Sequence, residues 1–464
     1  MAKVRKQSVN GITEGVIWKQ LLIFFLPILV GAFLQQLYNT ADAMVVGRFV
    51  GTAALSAVGG TTNTILNLVI GFFIGLSSGA TVIISQYFGG GDQSEINRAV
   101  HTAIALSLAG GAILTVAGIL AAPWMLSMLN TPADVLEFAI PYLRIYFAGT
   151  IANLFFNVGS GILRAVGDSK GPLYVLIFCT VLNIGLDVLL VAVLGLATAG
   201  AAMATILSQA CSAVLVMVMV HRKGEAFRIH PRQVRLHPDL LMHIFRIGLP
   251  AGLQSVMYSL SNLIIQAGVN GFGTMTIASW TVFGKVDAVF WMIIDSFGIA
   301  VTTFIAQNYG ARKIARVKKG VKVCLLLALI MTVALSAFLY FLGGNLGVLF
   351  TDDPAVLQRS TEIMKFQVRF FFTYVCIAVI PSALRAVGDS VIPMIITGIG
   401  VCGFRALWVL VIAPLLPWQT LEATVCCYQI SWVITSIVFV IYYNKFTPIR
   451  GQLNDVSKEE ERLA

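Results

Sequence analysis

Leu163–Ser169 reads LRAVGDS, and Leu384–Ser390 reads LRAVGDS again, 221 residues further on. The match extends outward at the same offset. Pro172 pairs with Pro393, Gln86-Tyr-Phe-Gly89 with Gln307-Asn-Tyr-Gly310, and Arg144 with Lys365. Upstream the offset drifts to 222 for Gly51-Thr52 and Gly273-Thr274. It reaches 223 for Leu26-Pro27 and Leu249-Pro250, and for Asn39 and Asn262. The chain is therefore one unit of about 200 residues written twice, a long-period repeat that governs any reading of the fold.

The repeated unit is apolar. The 464 residues are 58% hydrophobic and 11% charged, with a mean hydropathy of +0.87. Soluble domains are nearer 45–50% apolar and about 25% charged. Apolar runs of about 20 residues, long enough to cross a bilayer, fall near 20–44, 54–84, 99–122, 138–163, 172–194 and 199–220. Six more fall near 243–269, 276–307, 321–342, 360–384, 392–415 and 422–444. The expected fold is an all-α membrane protein with twelve transmembrane helices, numbered here as spans 1 to 12, in two pseudo-symmetric six-helix lobes. Because six is even, both halves enter the membrane from the same side, as parallel repeats. Two such halves around a midplane site are a common transporter architecture. The expected organisation is an N-lobe at 1–220, a basic linker at 221–242 and a C-lobe with a C-terminal tail at 243–464.

Most of the 31 Lys and Arg residues sit in the termini and in every second loop, among them Arg222, Lys223, Arg228, Arg232, Arg235, Arg312, Lys313, Arg316, Lys318 and Lys319. The alternate loops carry Asn130-Thr-Pro-Ala-Asp134 and Thr351-Asp-Asp-Pro354, and almost no base beyond Arg48. The positive-inside rule then places both termini in the cytoplasm. It accounts for the net charge of +10 without nucleic acid, since the bases are spread over loops rather than gathered in a tail. The first apolar run has no small-residue cleavage site and reads as a retained span. The seven Cys lie inside apolar runs and read as buried free thiols. The five His, mostly near the linker, have no metal-ligand spacing, and no cofactor is expected.

LRAVGDS ends the fourth span of each half. Its Arg suits a helix C-terminus, and Gly-Asp-Ser makes the turn into the next helix. The function should lie where the two copies disagree. An ionisable group at the bilayer centre costs about 2.5–3.5 kcal/mol on insertion scales. Span 1 carries Gln35, Asn39 and Asp42 at i, i+4 and i+7. Span 5 carries Asn183 and Asp187 at i and i+4; each set shares a helix face. Through the repeat, Asp42 falls on Ile265, Asn183 on Phe404 and Asp187 on Trp408. The acids belong to one half only. Carboxylate and amide oxygens suit Na⁺, and desolvation of paired carboxyls suits proton loading. The bland alternative is hydrogen bonding to backbone or an ion pair with Arg144. In the other half, Lys285, Asp287 and Asp295 of span 8 form either an internal ion-pair network or a substrate contact. Arg369 in span 10 and Arg405 in span 11 complete the intramembrane charges.

Twelve spans in two parallel repeats, Leu37-Tyr-Asn-Thr-Ala-Asp42 followed by Val46-Gly47, and the two LRAVGDS turns resemble the multidrug and toxic compound extrusion (MATE) family over about 15–445. Asn183-x-x-x-Asp187 is similar to the prokaryotic DinF-like and MepA-like branches. The resemblance implies an N-lobe cation site of Asp42, Asn183, Asp187 and Thr205, with Asn39 and Ala201 beside it. It also implies a cavity for which Gln35, Tyr38, Asn153, Asn157, Lys285, Asp287, Asp295 and Arg369 are candidates. NorM-like members place acids in spans 7 and 10. Span 7 here offers only Gln254, Asn262 and Gln266, so a C-lobe Na⁺ site is not expected. The implied protein is a monomeric, cytoplasmic-membrane antiporter. It exports organic cations or other amphipathic drugs against H⁺ or Na⁺ by rocker-switch alternating access. The alternatives are a lipid-linked oligosaccharide flippase, which calls for a basic cavity, and a membrane-embedded enzyme, for which no acid–base or metal constellation is present.

Overall fold

The structure is a computed structural model, and it describes residues 12–445. Its described residues form helices, turns and connecting segments, with no strand. Among the described residues, ten helices are long and apolar enough to cross a membrane: Ile17–Phe49, Thr52–Gly90, Gln93–Met128, Lys170–Val193, Ala197–His221, Pro238–Asn270, Thr274–Gly310, Ile314–Gly347, Val391–Leu415 and Leu421–Lys445. Two further spans are bent pairs, Ala133–Ala148 with Thr150–Ala165 and Pro354–Val368 with Phe371–Ala386, turned by 50° and 47°. Counting each pair once gives the twelve spans in the expected order. The charges assigned to the two termini, Lys3 and Arg450 among them, lie outside the described residues.

Two compact units emerge: residues 26–252 form one, and residues 12–25 with 253–445 form the other. Each boundary falls inside a helix rather than in the 221–242 linker. The boundaries sit beside Pro27 in span 1 and Pro250 in span 7, and both helices run through their proline. The first unit keeps the head of span 7 because small residues let backbones touch there. A Cβ placed on Gly75 of span 2 would lie 2.6 Å from the Cα of Gly252, and one on Gly79 would lie 2.8 Å from the amide N of Gly248. Gly75-xxx-Gly79 thus packs on Gly248-xxx-Gly252, a small-residue contact that suits membrane helices lacking a hydrophobic drive to associate. The second unit keeps the head of span 1 by other means. Phe25 stacks on Phe297 of span 8 at 4.1 Å. Arg316 donates to the carbonyl oxygens of Ile12, Glu14 and Gly15, and Lys313 to that of Thr13, at 2.8–3.2 Å.

The two LRAVGDS turns share one backbone. Gly167 and Gly388 take the left-handed conformation, φ +88° and +94°, which only glycine adopts at no cost. The Asp168 and Asp389 amides reach back to the carbonyls of Leu163 and Leu384, closing each helix end. The side chains diverge. Asp168 accepts from the Gly171 amide at 2.8 Å and pairs with Lys223 at 2.5 Å. Asp389 accepts from the Tyr442 hydroxyl at 2.6 Å, and Arg385 donates to Gln254 at 3.1 Å.

Candidate cation and substrate site

Span 1 turns Tyr38, Asp42 and Val46 inward, one helical turn apart. Asp42 is 5% exposed and Val46 is buried outright. Span 5 brings Asn183 and Asp187, both fully buried, and span 6 brings Ala201 and Thr205 at 0% and 2%. The Thr205 hydroxyl donates to Asp42 Oδ2 at 3.2 Å across 163 residues of sequence. Asn183 and Asp187 lie near the same carboxyl group without hydrogen-bonding it. Neither makes a hydrogen bond of ordinary geometry: Asp42 Oδ1, both Asp187 oxygens and both Asn183 amide atoms are buried without a partner.

Local backbone explains the convergence. Span 5 widens into a π-helical stretch at Val188–Val193 immediately after Asp187. Such bulges are frequent at functional sites. Span 4 breaks at Gly149, where any Cβ would run into Ile206 of span 6. The first segment of span 4 brings Tyr142 and Tyr146 into the neighbourhood of Asp42, with their rings 6.1 Å apart and Gln209 donating to the Tyr146 hydroxyl at 3.3 Å. Val46, Ala54, Val58, Ile65, Leu126, Ala139 and Leu143 pack an apolar core around this cluster.

Among the described residues, no ion pair involves Asp42 or Asp187. Arg144 lies between Tyr142 and Tyr146 in sequence but is exposed, which removes the guanidinium pairing considered from the sequence. Two carboxyl groups, a carboxamide and a hydroxyl thus lie buried together, with no cation paired to the acids among the described residues. Such a donor set accepts a proton or binds a small hard cation through oxygen.

Not every expected residue joins it. Gln35 and Asn39 are exposed. The face that packs inward is the Tyr38–Asp42–Val46 edge, so the i, i+4, i+7 grouping of Gln35, Asn39 and Asp42 is corrected. Asn153 and Asn157 bond each other, Asn157 Nδ2 donating to Asn153 Oδ1 at 3.0 Å. Among the described residues, Lys285, Asp287 and Asp295 form no ion pair; instead Trp291 Nε1 donates to Asp287 Oδ2 at 2.7 Å. Arg369 is exposed and lies over the Tyr340 ring at 5.3 Å, donating to its hydroxyl at 3.2 Å. That contact sets it apart from the other cavity candidates. Arg405 is 1% exposed, with its guanidinium 4.2 Å above the centre of the Tyr428 ring. The sequence reading missed Tyr142, Tyr146 and Gln209. The i, i+4 tyrosines of span 4 were the available signal.

Comparison with known proteins agrees with this architecture. The MatE family model matches residues 27–189 and again 250–411, with starts 223 residues apart and ends 222 apart, the period of the internal repeat. The chain is 30% identical to the probable multidrug resistance protein YpnP of Bacillus subtilis (strain 168), covering 81% of this chain and 84% of that protein. It is 27% identical to the probable multidrug resistance protein YoeA of the same organism, over 83% and 85%. A solved structure described as the outward-facing conformation of a multidrug resistance MATE family transporter of the MOP superfamily superposes with a TM-score of 0.86. It is 22% identical, covering 93% of this chain and 96% of that one. With both halves matched by the family model and the same fold in solved relatives, the chain belongs to the MatE family of membrane transporters.

Proposed function

We propose that this protein is a cation-coupled multidrug efflux antiporter of a cytoplasmic membrane, with both termini on the cytoplasmic face. It exchanges H⁺ or Na⁺ for organic cations or other amphipathic drugs. The relatives named as multidrug resistance proteins support the export of drugs. The coupling reading is carried by one observation: Asp42, Asn183, Asp187 and Thr205 lie buried together with no counter-cation among the described residues.

The chemistry follows from that burial. An ionised carboxylate out of water is unfavourable unless paired. When the pocket is closed, the coupling ion supplies the missing positive charge. When it opens to the cytoplasm, water replaces the ion. An ion moving inward gains about 2.3 kcal/mol per charge per 100 mV, and obligatory exchange passes that gain to the outgoing substrate. The π-helical stretch after Asp187 and Pro27 in span 1 let the two acid-bearing helices change shape as the ion binds and leaves.

The test is transport of ethidium by the full chain in proteoliposomes, with the pH and Na⁺ gradients imposed separately. One gradient drives uptake by the wild type, and Asp42→Asn lowers the driven rate about 100-fold. Transport by Asp42→Asn at the wild-type rate under both gradients refutes the coupling site.

A further inference from the structure

Span 8 carries a second feature that one half has and the other lacks. Trp280, Gly284, Asp287, Trp291 and Asp295 are spaced by 4, 3, 4 and 4 residues, which puts them on one face of the helix. Through the 221-residue repeat these positions fall on Gly59, Asn63, Leu66, Ile70 and Ile74. The stripe of rings and acids is therefore no requirement of the fold. Lys285 and Asp295 are exposed and Asp287 is half-buried. Because lipid does not solvate such charges, this arc of span 8 faces water.

The stripe contains a notch. Gly284 is exposed, and a Cβ built on it meets no atom within 4 Å. Trp280 stands one turn before it, beside Tyr428 at 6.4 Å between ring centres. Asp287 stands one turn after it, then Trp291, which is backed by Tyr374 at 5.0 Å and Trp432 at 6.4 Å. Asp287 Oδ2 is held by the Trp291 indole N–H at 2.7 Å, while Oδ1 has no partner. Behind Tyr428, Arg405 presses its guanidinium on the ring at 4.2 Å and donates from Nε to Ser431 at 3.4 Å. At 1% exposure that cation is sealed away. The charges within reach are Asp287, Asp295 two turns on, and Lys285, which pairs with neither.

Building on the export of organic cations proposed above, we propose that this notch is a substrate subsite for flat aromatic cations. The positive group lies against Asp287, and the ring system spreads over Gly284 between the Trp280–Tyr428 pair and Trp291. An indole or phenol face attracts a cation electrostatically, and stacked rings add contact area. The carboxylate gives charge selectivity, and the missing side chain at Gly284 gives room. Arg405 is a positioning residue that fixes the Tyr428 ring. The division of labour is then spatial: ion exchange around Asp42, and recognition of cargo around Asp287.

The test is equilibrium binding to the purified full chain in nanodiscs. It uses two fluorescent probes, the permanent cation ethidium and the neutral N-phenyl-1-naphthylamine. Asp287→Asn is expected to weaken ethidium at least tenfold and to leave the neutral probe within twofold. Gly284→Leu, which points into open space and leaves packing alone, is expected to weaken both at least tenfold. Unchanged ethidium affinity in both span 8 variants, in a chain whose wild type transports ethidium, overturns the subsite and leaves the export reading standing. A wild type that neither binds nor transports ethidium overturns both.

Discussion

Thr205→Val is the sharpest probe of the buried cluster, because it exchanges a hydroxyl for a methyl of nearly the same shape. Thr205 is 2% exposed and donates at 3.2 Å to Asp42 Oδ2. Asp42 Oδ1 already lacks a partner, so the variant leaves both carboxylate oxygens without a protein donor. A hydrogen bond to a charged group contributes about 1.5–3 kcal/mol, which is a factor of about 10–150 in an equilibrium constant. The direction depends on the ion. If H⁺ is the coupling ion, losing a donor to the ionised form favours protonation, and half-maximal transport moves to a proton concentration about 10–150 times lower. If Na⁺ is the ion, the hydroxyl oxygen is a lost ligand, and half-maximal transport needs about 10–150 times more Na⁺. The assay is initial-rate ethidium transport in proteoliposomes, with pH titrated without Na⁺ and Na⁺ titrated at fixed pH. The sign of the shift names the ion. Midpoints within twofold of wild type in both titrations would refute the claim that this hydroxyl belongs to the ion site.

Gly75→Val should destabilise the first unit by about 1–3 kcal/mol, the usual cost of overpacking, because its Cβ would meet the Gly252 backbone at 2.6 Å. Gly185→Ala, with open space around the added methyl, should leave thermal unfolding of the detergent-solubilised chain unchanged or slightly raised; equal effects of the two would contradict the backbone contact. The linker should loosen in acid. His237 bonds Thr102 through Nδ1 at 2.9 Å and accepts from Arg235 at Nε2 at 3.2 Å. Burial, then the charges of Arg235 and Arg98, hold it below the ordinary histidine value. A base with a depressed folded value adds stability above its unfolded value, about pH 6.5, and loses it as pH falls through the folded one. Hydrogen exchange across 229–237, corrected for intrinsic pH dependence, should therefore speed up between pH 8 and 5.5. Unchanged protection would count against this docking.

Much of the site could be read early for a simple reason: acids in an apolar run are rare, and a repeat shows which of them the fold does not need. That reasoning singled out Asp42, Asn183 and Asp187 and left Ile265, Phe404 and Trp408 as their silent counterparts. It failed at Gln35 and Asn39. Positions 3 and 7 residues from Asp42 are near it on a helical wheel, but so are positions 4 residues away. Periodicity alone does not say which edge of that arc packs inward. Of the two readings for Lys285, Asp287 and Asp295, the ion-pair network does not form, because opposite charges close in sequence need not point at one another. Asp287 found an indole one turn away instead.

What the chain alone determined is the set of properties that each segment carries by itself. Apolar length defined twelve spans, basic loops gave an expected sidedness, and the 221-residue offset defined two parallel halves. The tertiary structure decided how far each helix is rotated about its own axis, and hence which side chains meet. Asp42 and Thr205 touch across 163 residues, and the heads of spans 1 and 7 join the opposite compact units. Helix rotation and partner choice come from packing between surfaces, Gly75 on Gly252 or Phe25 on Phe297, and no single segment's pattern contains that information.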